Sequence, residues 1–329
     1  MQQFTIPTPY PVGEVHFYTV EVGGELILFD TGPPTDEALS CLKSNVDLER
    51  LRHVFITHCH VDHYGLADYL SKHSSAEIYL PHKDAVKIRH HNKRMEGIEG
   101  LLRKLGFDAR YLNRFRETVI NAGVFPRFPQ RYQVVEEAEV LERFGFSFLN
   151  CPGHSQSDLV YLGNDWAITG DTLLRDIFQA PLLDLDLDTF SGRFDNYGAY
   201  CSSLHRMEKL RGRRILPGHR QDIDSLDTAI LYYVGKLMER AKHIKKYALD
   251  DVSTIVRQLF GPVIDNPFHT YLKASEIVFM RDFLERPECL REALSHLGLF
   301  DKVAEEFTAL TTLGTATKDG PCRPDGEAI

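Results

Sequence analysis

Residues 57–63 have the sequence THCHVDH, which places four metal-binding side chains within six positions: His58, His60, Asp62 and His63. The preceding residues, Val54-Phe55-Ile56-Thr57, predict a buried strand, so the motif lies on the loop after that strand. Alternate side chains of an extended segment point the same way, which lets His58 and His60 bind one metal ion. Asp62 and His63, at the turn into the next helix, can then face a second ion about 3.5–4 Å away, as in two-metal hydrolases.

A zinc site needs three or four ligands, so the motif predicts further ligands elsewhere in the chain. Three side chains that follow predicted strands fit this expectation: His154 in CPGHSQSD, Asp171 in TGDT and His219 in LPGH. Any one of them could instead cap a loop or make a buried hydrogen bond. An ordered set of three at three strand ends favours metal binding.

The length and composition indicate a folded chain with a large core. It has 329 residues, of which 43% are hydrophobic and 26% charged, and this excludes disordered and collagen-like classes. The net charge of −9 argues against a protein that covers DNA or an anionic membrane. The first residues lack a basic region followed by an apolar one, and the chain has no long apolar run, so we predict a cytoplasmic protein without a membrane segment.

The pattern along the chain predicts a catalytic region followed by a helical one. Residues 15–32 alternate apolar and polar side chains around Gly23-Gly24, which predicts a β-hairpin. Residues of about 82–131 have helical spacing and form an insertion. We predict a catalytic domain over 1–223 with this insertion, an all-helical domain over 224–310 and a flexible tail over 311–329.

The ordered series DTG, THxHxDH, PGHS, GDT and PGH resembles the metallo-β-lactamase superfamily over roughly residues 15–220. The resemblance implies an α/β fold: an αββα sandwich of two mixed β-sheets flanked by helices, followed here by a helical C-terminal domain. It also implies that one metal ion is held by His58, His60 and His154. A second ion would be held by Asp62, His63 and His219, with Asp171 bridging the two ions. Asp30, in LFDTG, would hydrogen-bond a ligand and fix its orientation.

This ligand set implies hydrolysis by a hydroxide bound to two metal ions, with Asp62 and Asp171 as catalytic residues. Imidazole-rich ligation favours zinc, and the carboxylates would also accept iron or manganese. The layout is similar to glyoxalase II-like thioesterases, to a quinolone-signal thioesterase-like group and to a small endoribonuclease branch. We therefore predict hydrolysis of an ester-type bond, with a thioester favoured. The alternatives are an RNA phosphodiesterase and a regulatory or signalling protein that retains the metal site.

The motifs say less about which residues contact the substrate. Candidate contacts are Arg220, directly after a ligand, and His269 and Tyr271 in NPFHTYLKASE. The segment 82–131 contains twelve Lys and Arg against five Asp and Glu, and a stripe through Lys87 and Arg94 could receive an anionic small molecule. Nucleic acid is a less favoured partner. Apolar residues between these charges predict a lid over the site or a homodimer contact.

Overall fold

A computed structural model describes residues 1–10, 12–120, 127–261 and 266–312. Within these ranges the strands form two mixed sheets. The first sheet has the order β1-β2-β3-β4-β5-β6, and its strands are Gln2–Ile6, Val15–Val22, Glu25–Phe29, Leu51–Phe55, Glu77–Leu80 and Gln133–Val134. The second has the order β10-β9-β8-β7, with β7 at Ser147–Asn150, β8 at Leu159–Leu162, β9 at Trp166–Gly170 and β10 at Arg214–Pro217.

The helices α1 to α8 lie among these strands. Their bounds are Asp36–Asn45, Val61–Tyr64, Ala67–His73, His82–Arg89, His91–Lys104, Ala109–Phe115, Val140–Arg143 and Asn196–Met207. The helices α9 to α13 follow the last strand, at Leu226–Ile244, Val252–Phe260, Pro267–Glu285, Pro287–His296 and Ala304–Thr311. The predicted hairpin is confirmed, and both Gly23 and Gly24 have the positive φ that its two-residue turn requires.

Period-two alternation builds the sandwich, as expected for strands with both faces covered. Ile27 and Phe29 of β3 enter the cluster between the two sheets, whereas Leu28 faces the opposite way into a cluster with α1 and α3. Likewise Tyr161 of β8 points inward, and Val160 packs under the helices on the other side. The predicted αββα sandwich is confirmed. Strands β1 and β6 and helices α7 and α13 were not predicted, because each is short or has few buried positions.

The basic segment is helical up to residue 120, where it contains α4, α5 and α6, whereas the described residues 127–131 are not helical. It does not present the expected stripe. Lys87 is buried and pairs with Asp84, and Arg94 donates from Nε to both carboxylate oxygens of Asp184 at 2.8 and 2.9 Å. The two cations lie on different helices, because α4 ends at Arg89. Four of the apolar residues between these charges are buried in a hydrophobic cluster that also contains residues of the second sheet and of the C-terminal helices: Met95, Ile98, Leu101 and Leu102.

The C-terminal helices share one hydrophobic cluster with the second sheet. Ile230 of α9 and Phe279 of α11 belong to the same cluster as Val160 and Ala167. The domain boundary at 223–224 stays a prediction, and the predicted tail lies outside the described residues from 313 onward. Within the described ranges, none of the helices combines the length and apolar character that crossing a bilayer requires. The cytoplasmic location stays a prediction.

The shared cluster predicts that α11 and the second sheet unfold together. Phe279 is 1% exposed, so Phe279→Ala should lower the free energy of unfolding by about 3–5 kcal/mol and keep a single thermal transition. Leu249→Ala is the matched control, because Leu249 is fully exposed. Two separate transitions in a calorimetric scan of the wild-type protein would contradict this prediction.

Candidate metal centre

The metal-binding side chains converge because their loops all lie at one edge of the sandwich. The THCHVDH loop follows β4, Asp171 follows β9, and His219 follows β10. Two backbone hydrogen bonds join these loops. The Leu159 N–H donates to the Thr57 carbonyl at 3.0 Å, and the Gly218 N–H donates to the Gly170 carbonyl at 2.8 Å. The first of these hydrogen bonds ties the two sheets together beside the site, and the second joins the ends of two neighbouring strands of the second sheet.

The first group consists of His58, His60, His154 and Asp171. Nδ1 of His60 lies 2.8 Å from Nε2 of His58 and 3.0 Å from Nε2 of His154. Oδ2 of Asp171 is 3.6 Å from Nε2 of His154. Three imidazole nitrogens and one carboxylate oxygen therefore face a common point.

The second group consists of Asp62, His63 and His219. Oδ2 of Asp62 lies 3.5 Å from Nε2 of His219, and its Oδ1 lies 3.9 Å from Nε2 of His63. Oδ1 of Asp171 is 3.3 Å from Nε2 of both histidines. Asp171 thus turns one oxygen toward each group, as expected of a bridging ligand.

Hydrogen bonds to Nδ1 fix the orientation of three rings directly. His63 donates from Nδ1 to Oδ2 of Asp30 at 2.8 Å, and His154 and His219 donate from Nδ1 to the carbonyls of Ala180 and Glu14 at 2.8 and 2.6 Å. Carboxylate and carbonyl oxygens can only accept, so each of these rings has a proton on Nδ1 and directs its Nε2 into the site. Burial would lower the pKa of His63, but the charges of Asp171, Asp30 and Asp62 outweigh it and hold that pKa well above its usual range, so its Nε2 also has a proton until a cation displaces it.

Asp30 orients His58 as well, through Thr57. The Thr57 hydroxyl donates its single proton to Oδ2 of Asp30 at 2.9 Å, so it accepts from Nδ1 of His58 at 3.1 Å. Asp30 also accepts the Thr57 N–H at 2.8 Å and is itself buried. The structure therefore places Asp30 where the sequence predicted it, as the hydrogen-bond partner of a candidate ligand.

The electrostatics of the site favour a cation. Burial, followed by the neighbouring imidazoles, holds the pKa of His58 and of His60 well below the usual range, so both rings are neutral and offer lone pairs. Burial alone would raise the pKa of Asp171, but the imidazoles of His219 and His63 outweigh it and hold that pKa well below its usual range. The carboxylate is therefore charged at neutral pH.

A divalent metal fits these residues. Among the described residues, Nε2 of His63, Nε2 of His219 and Oδ1 of Asp171 are buried and have no partner with hydrogen-bond geometry. An unpaired buried polar atom costs about 1–3 kcal/mol, and here three of them face the same space. Imidazole nitrogen and carboxylate oxygen are ligands that Zn²⁺ and similar ions prefer.

Comparison with known proteins agrees with this geometry. A family model described as the metallo-beta-lactamase superfamily matches residues 10–219, which is more than half of the chain. The chain belongs to the metallo-β-lactamase superfamily. Members of this superfamily typically bind divalent metals, and this chain is a metallo-hydrolase of that superfamily.

Individual relatives cover most of the chain. It is 28% identical over 304 residues to the probable metallo-hydrolase YqjP of Bacillus subtilis, an alignment that covers 87% of this chain and 92% of that protein. It is 24% identical over 245 residues to a beta-lactamase-like protein 2 homolog of Caenorhabditis elegans, covering 73% and 67% of the two chains. A solved metallo-beta-lactamase family protein from Thermus thermophilus has a TM-score of 0.66 at 20% identity and covers 87% of this chain and 93% of its own.

The seven predicted ligands of this superfamily member come together, whereas the three predicted substrate residues lie in different surroundings. Arg220 is exposed directly after His219 and has a positive φ of 68°. His269 is exposed on the first turn of α11 and is in neither ligand group. Tyr271 is buried, and its hydroxyl donates to the Leu183 carbonyl. Tyr271 therefore holds the chain itself, in contrast to the predicted contact with substrate.

Several residues of the site were not predicted. The carbonyls of Glu14 and Ala180 orient two rings, and no sequence signal marks them because every residue has a carbonyl. Burial and then the charge of Asp62 raise the pKa of Tyr10, so the charge of a candidate ligand acts on this phenol. Gly218 could have been noticed within PGH: a Cβ there would lie 2.6 Å from Cε1 of His63 and 3.0 Å from Oδ1 of Asp171.

We expect Gly218→Ala to lower metal content without unfolding the protein. The added methyl group would push His63 and Asp171 out of position, and displaced ligands bind metal more weakly. We expect at least about a tenfold loss of metal affinity, the lower bound for disturbing groups that orient ligands, measured by competition with a chelator. Gly100→Ala is the control, because nothing lies within 4 Å of its Cβ. Equal metal affinity in both variants would contradict the prediction.

Proposed function

We propose that the chain is a dinuclear, zinc-dependent hydrolase of an ester-type bond, with a thioester as the favoured substrate. The observation that carries the proposal is the pair of ligand groups that share Asp171 and direct unpartnered Nε2 and carboxylate atoms into one space. The layout supports a thioester, since a catalytic region followed by helices is similar to that of glyoxalase II-like thioesterases.

Each residue has a distinct task in this proposal. His58, His60 and His154 would hold one ion, Asp62, His63 and His219 the other, and Asp171 would bridge them. Two divalent ions would supply Lewis acidity, which polarises a substrate carbonyl and lowers the pKa of a bound water to about 7. Asp62 and Asp171 would accept hydrogen bonds from water at the site and hold it toward the carbonyl. Asp30 would keep His63 and His58 in their binding orientation.

Arg220 supports an anionic substrate. It directly follows the candidate ligand His219, its side chain is exposed, and it forms no ion pair within the part of the chain that the structure describes. The ring of His16 donates from Nε2 to the Arg220 carbonyl and stabilises the backbone at its positive φ. A non-glycine residue held in this region costs of order 1 kcal/mol, and such strain is often found at functional sites.

The two rival functions have less support. An RNA phosphodiesterase would use the predicted stripe, but Lys87 and Arg94 pair with Asp84 and Asp184 inside the protein. A regulatory protein would retain the ligand groups but would not need to hydrolyse a substrate. In the experiment that follows, this alternative predicts bound metal without turnover. The predicted homodimer stays a prediction.

The decisive measurement is metal analysis of protein purified without added metal, together with hydrolysis assays on thioesters, lactones, phosphodiesters and short RNAs. We expect close to two equivalents of zinc and turnover of a thioester. Asp171→Ala should lose turnover by more than about a hundredfold, because it removes a ligand from both groups. The loss of a residue that only hydrogen-bonds a ligand can already lower activity by up to about a hundredfold. Asp165→Ala, an exposed carboxylate, is the control. Bound metal with every substrate inert would favour the regulatory function, and folded protein without metal would contradict the dinuclear site.

We further expect Arg220→Ala to raise KM for an anionic thioester by about tenfold or more and to leave kcat unchanged, since a hydrogen bond to a charged group contributes about 1.5–3 kcal/mol. Alanine has the same Cβ as arginine, so the backbone strain is unchanged. A neutral thioester and the variant Arg214→Ala, whose guanidinium pairs with Asp222 at 2.7 Å, serve as controls. An equal rise of KM for the neutral substrate would contradict a charge contact.

A further inference from the structure

A buried ion pair lies behind the first ligand group and is not explained by catalysis. Asp84 is in the first turn of α4 and is fully buried, and Lys87 follows one turn later with 9% exposure. Nζ of Lys87 is 2.8 Å from Oδ1 of Asp84. Both residues belong to the basic segment, and they face the metal centre rather than solvent.

Asp84 fixes the loop that contains most of the candidate ligands. Its other oxygen, Oδ2, accepts the Cys59 N–H at 2.8 Å. Cys59 lies between His58 and His60, so this hydrogen bond holds the backbone at the point from which the two rings diverge. A backbone displacement here would move both imidazoles at once.

Lys87 reaches the second ligand loop. Its Nζ donates to the Ser157 hydroxyl at 3.1 Å, and Ser157 contacts the Ser155 hydroxyl at 3.0 Å. Ser155 in turn donates from Oγ and from its N–H to the two oxygens of Asp158, at 2.6 and 2.7 Å. This closed turn directly follows His154. One continuous chain of buried hydrogen bonds thus runs from the loop of His58 and His60 to the loop of His154.

Stability alone does not account for this pair. Removing Lys and Asp from water is costly, and apolar side chains of similar volume often stabilise a protein equally well or better. What apolar residues cannot provide is a directional contact to a backbone N–H on one loop and to a hydroxyl on the other. The pair therefore connects the two loops by directional hydrogen bonds, which apolar packing cannot provide.

We propose that Asp84 and Lys87 form a brace that sets the spacing of the two metal-ligand loops and thereby the metal affinity of the first ligand group. The inference rests on the metal-dependent function proposed above. Asp84, Lys87 and Ser157 are positioning residues in this proposal, since they act through Cys59 and the turn after His154. They touch neither metal nor substrate.

The test compares Lys87→Met with Lys83→Met in the full-length protein. Methionine keeps the length of the side chain and removes its charge and donors. Lys83 is on the same helix, but it pairs with Asp188, which is 75% exposed. Zn²⁺ affinity is measured by competition with a chromophoric chelator, and the absorption spectrum of the Co²⁺-loaded protein reports the geometry of the ligands. We expect Lys87→Met to lose about tenfold or more in Zn²⁺ affinity with an altered Co²⁺ spectrum, and Lys83→Met to match the wild-type protein.

Two further variants separate positioning from folding. Lys87→Met leaves the Asp84 charge buried without its partner, so it is paired with the double variant Asp84→Asn/Lys87→Met, which removes both charges and should fold and show the same loss of affinity. Ser157→Ala keeps the ion pair and cuts only the connection to the second loop, so we expect a smaller loss in the same direction.

The outcomes are distinct. Folded Lys87 variants with the Zn²⁺ affinity and Co²⁺ spectrum of the wild-type protein would overturn the brace and leave the proposed function intact. Unchanged affinity in Ser157→Ala would overturn the link between the two loops. Wild-type protein that binds no Zn²⁺ would overturn the proposed function and the brace with it.

Discussion

The centre depends on one constraint of imidazole chemistry: a neutral ring has a single N–H, so fixing that proton on one nitrogen directs the lone pair of the other. In His63, His154 and His219 the proton is fixed by an oxygen that can only accept. The rest of the sandwich delivers those oxygens to the correct places, because Asp30 follows β3, Glu14 precedes β2 and Ala180 lies in the long connection after β9. The sheets therefore position the hydrogen-bond acceptors as well as the candidate ligands.

The helical C-terminal region is part of this frame. Tyr271 and Ser275, both on α11, hold the Leu183 carbonyl and N–H, and the Leu182 N–H donates to the His154 carbonyl at 2.9 Å. The segment that orients His154 is thus held between that ligand and a C-terminal helix. A shift of α11 would be transmitted to His154 through Leu183, Leu182 and the backbone that leads to Ala180.

The convergence of the seven candidate ligands could be predicted from the sequence because each one lies in a local motif at a strand end, where the strand fixes its position. The sequence did not predict two kinds of contact in the site. The first kind is made by backbone carbonyls, here those of Glu14 and Ala180, which every residue has. The second kind joins residues far apart in the sequence, such as Lys87 and Ser157, which are 70 positions apart. The seven-residue separation of Lys87 from Arg94 suggested one helix face, but the helix ends at Arg89 and the two cations are directed to different carboxylates, Asp84 and Asp184.

Metal binding and substrate choice are encoded in different parts of this chain. Five of the seven candidate ligands are buried and the other two are half-buried, and hydrogen bonds orient their rings, so they leave little freedom to adapt to a substrate. The exposed Arg220 lies one residue beyond a candidate ligand, and the half-buried Tyr10 is on the loop before β2. Their side chains can vary without disturbing the centre. Since the site rather than the fold determines function, recognition of the ligand motifs alone identifies the chemistry of the centre and not the substrate.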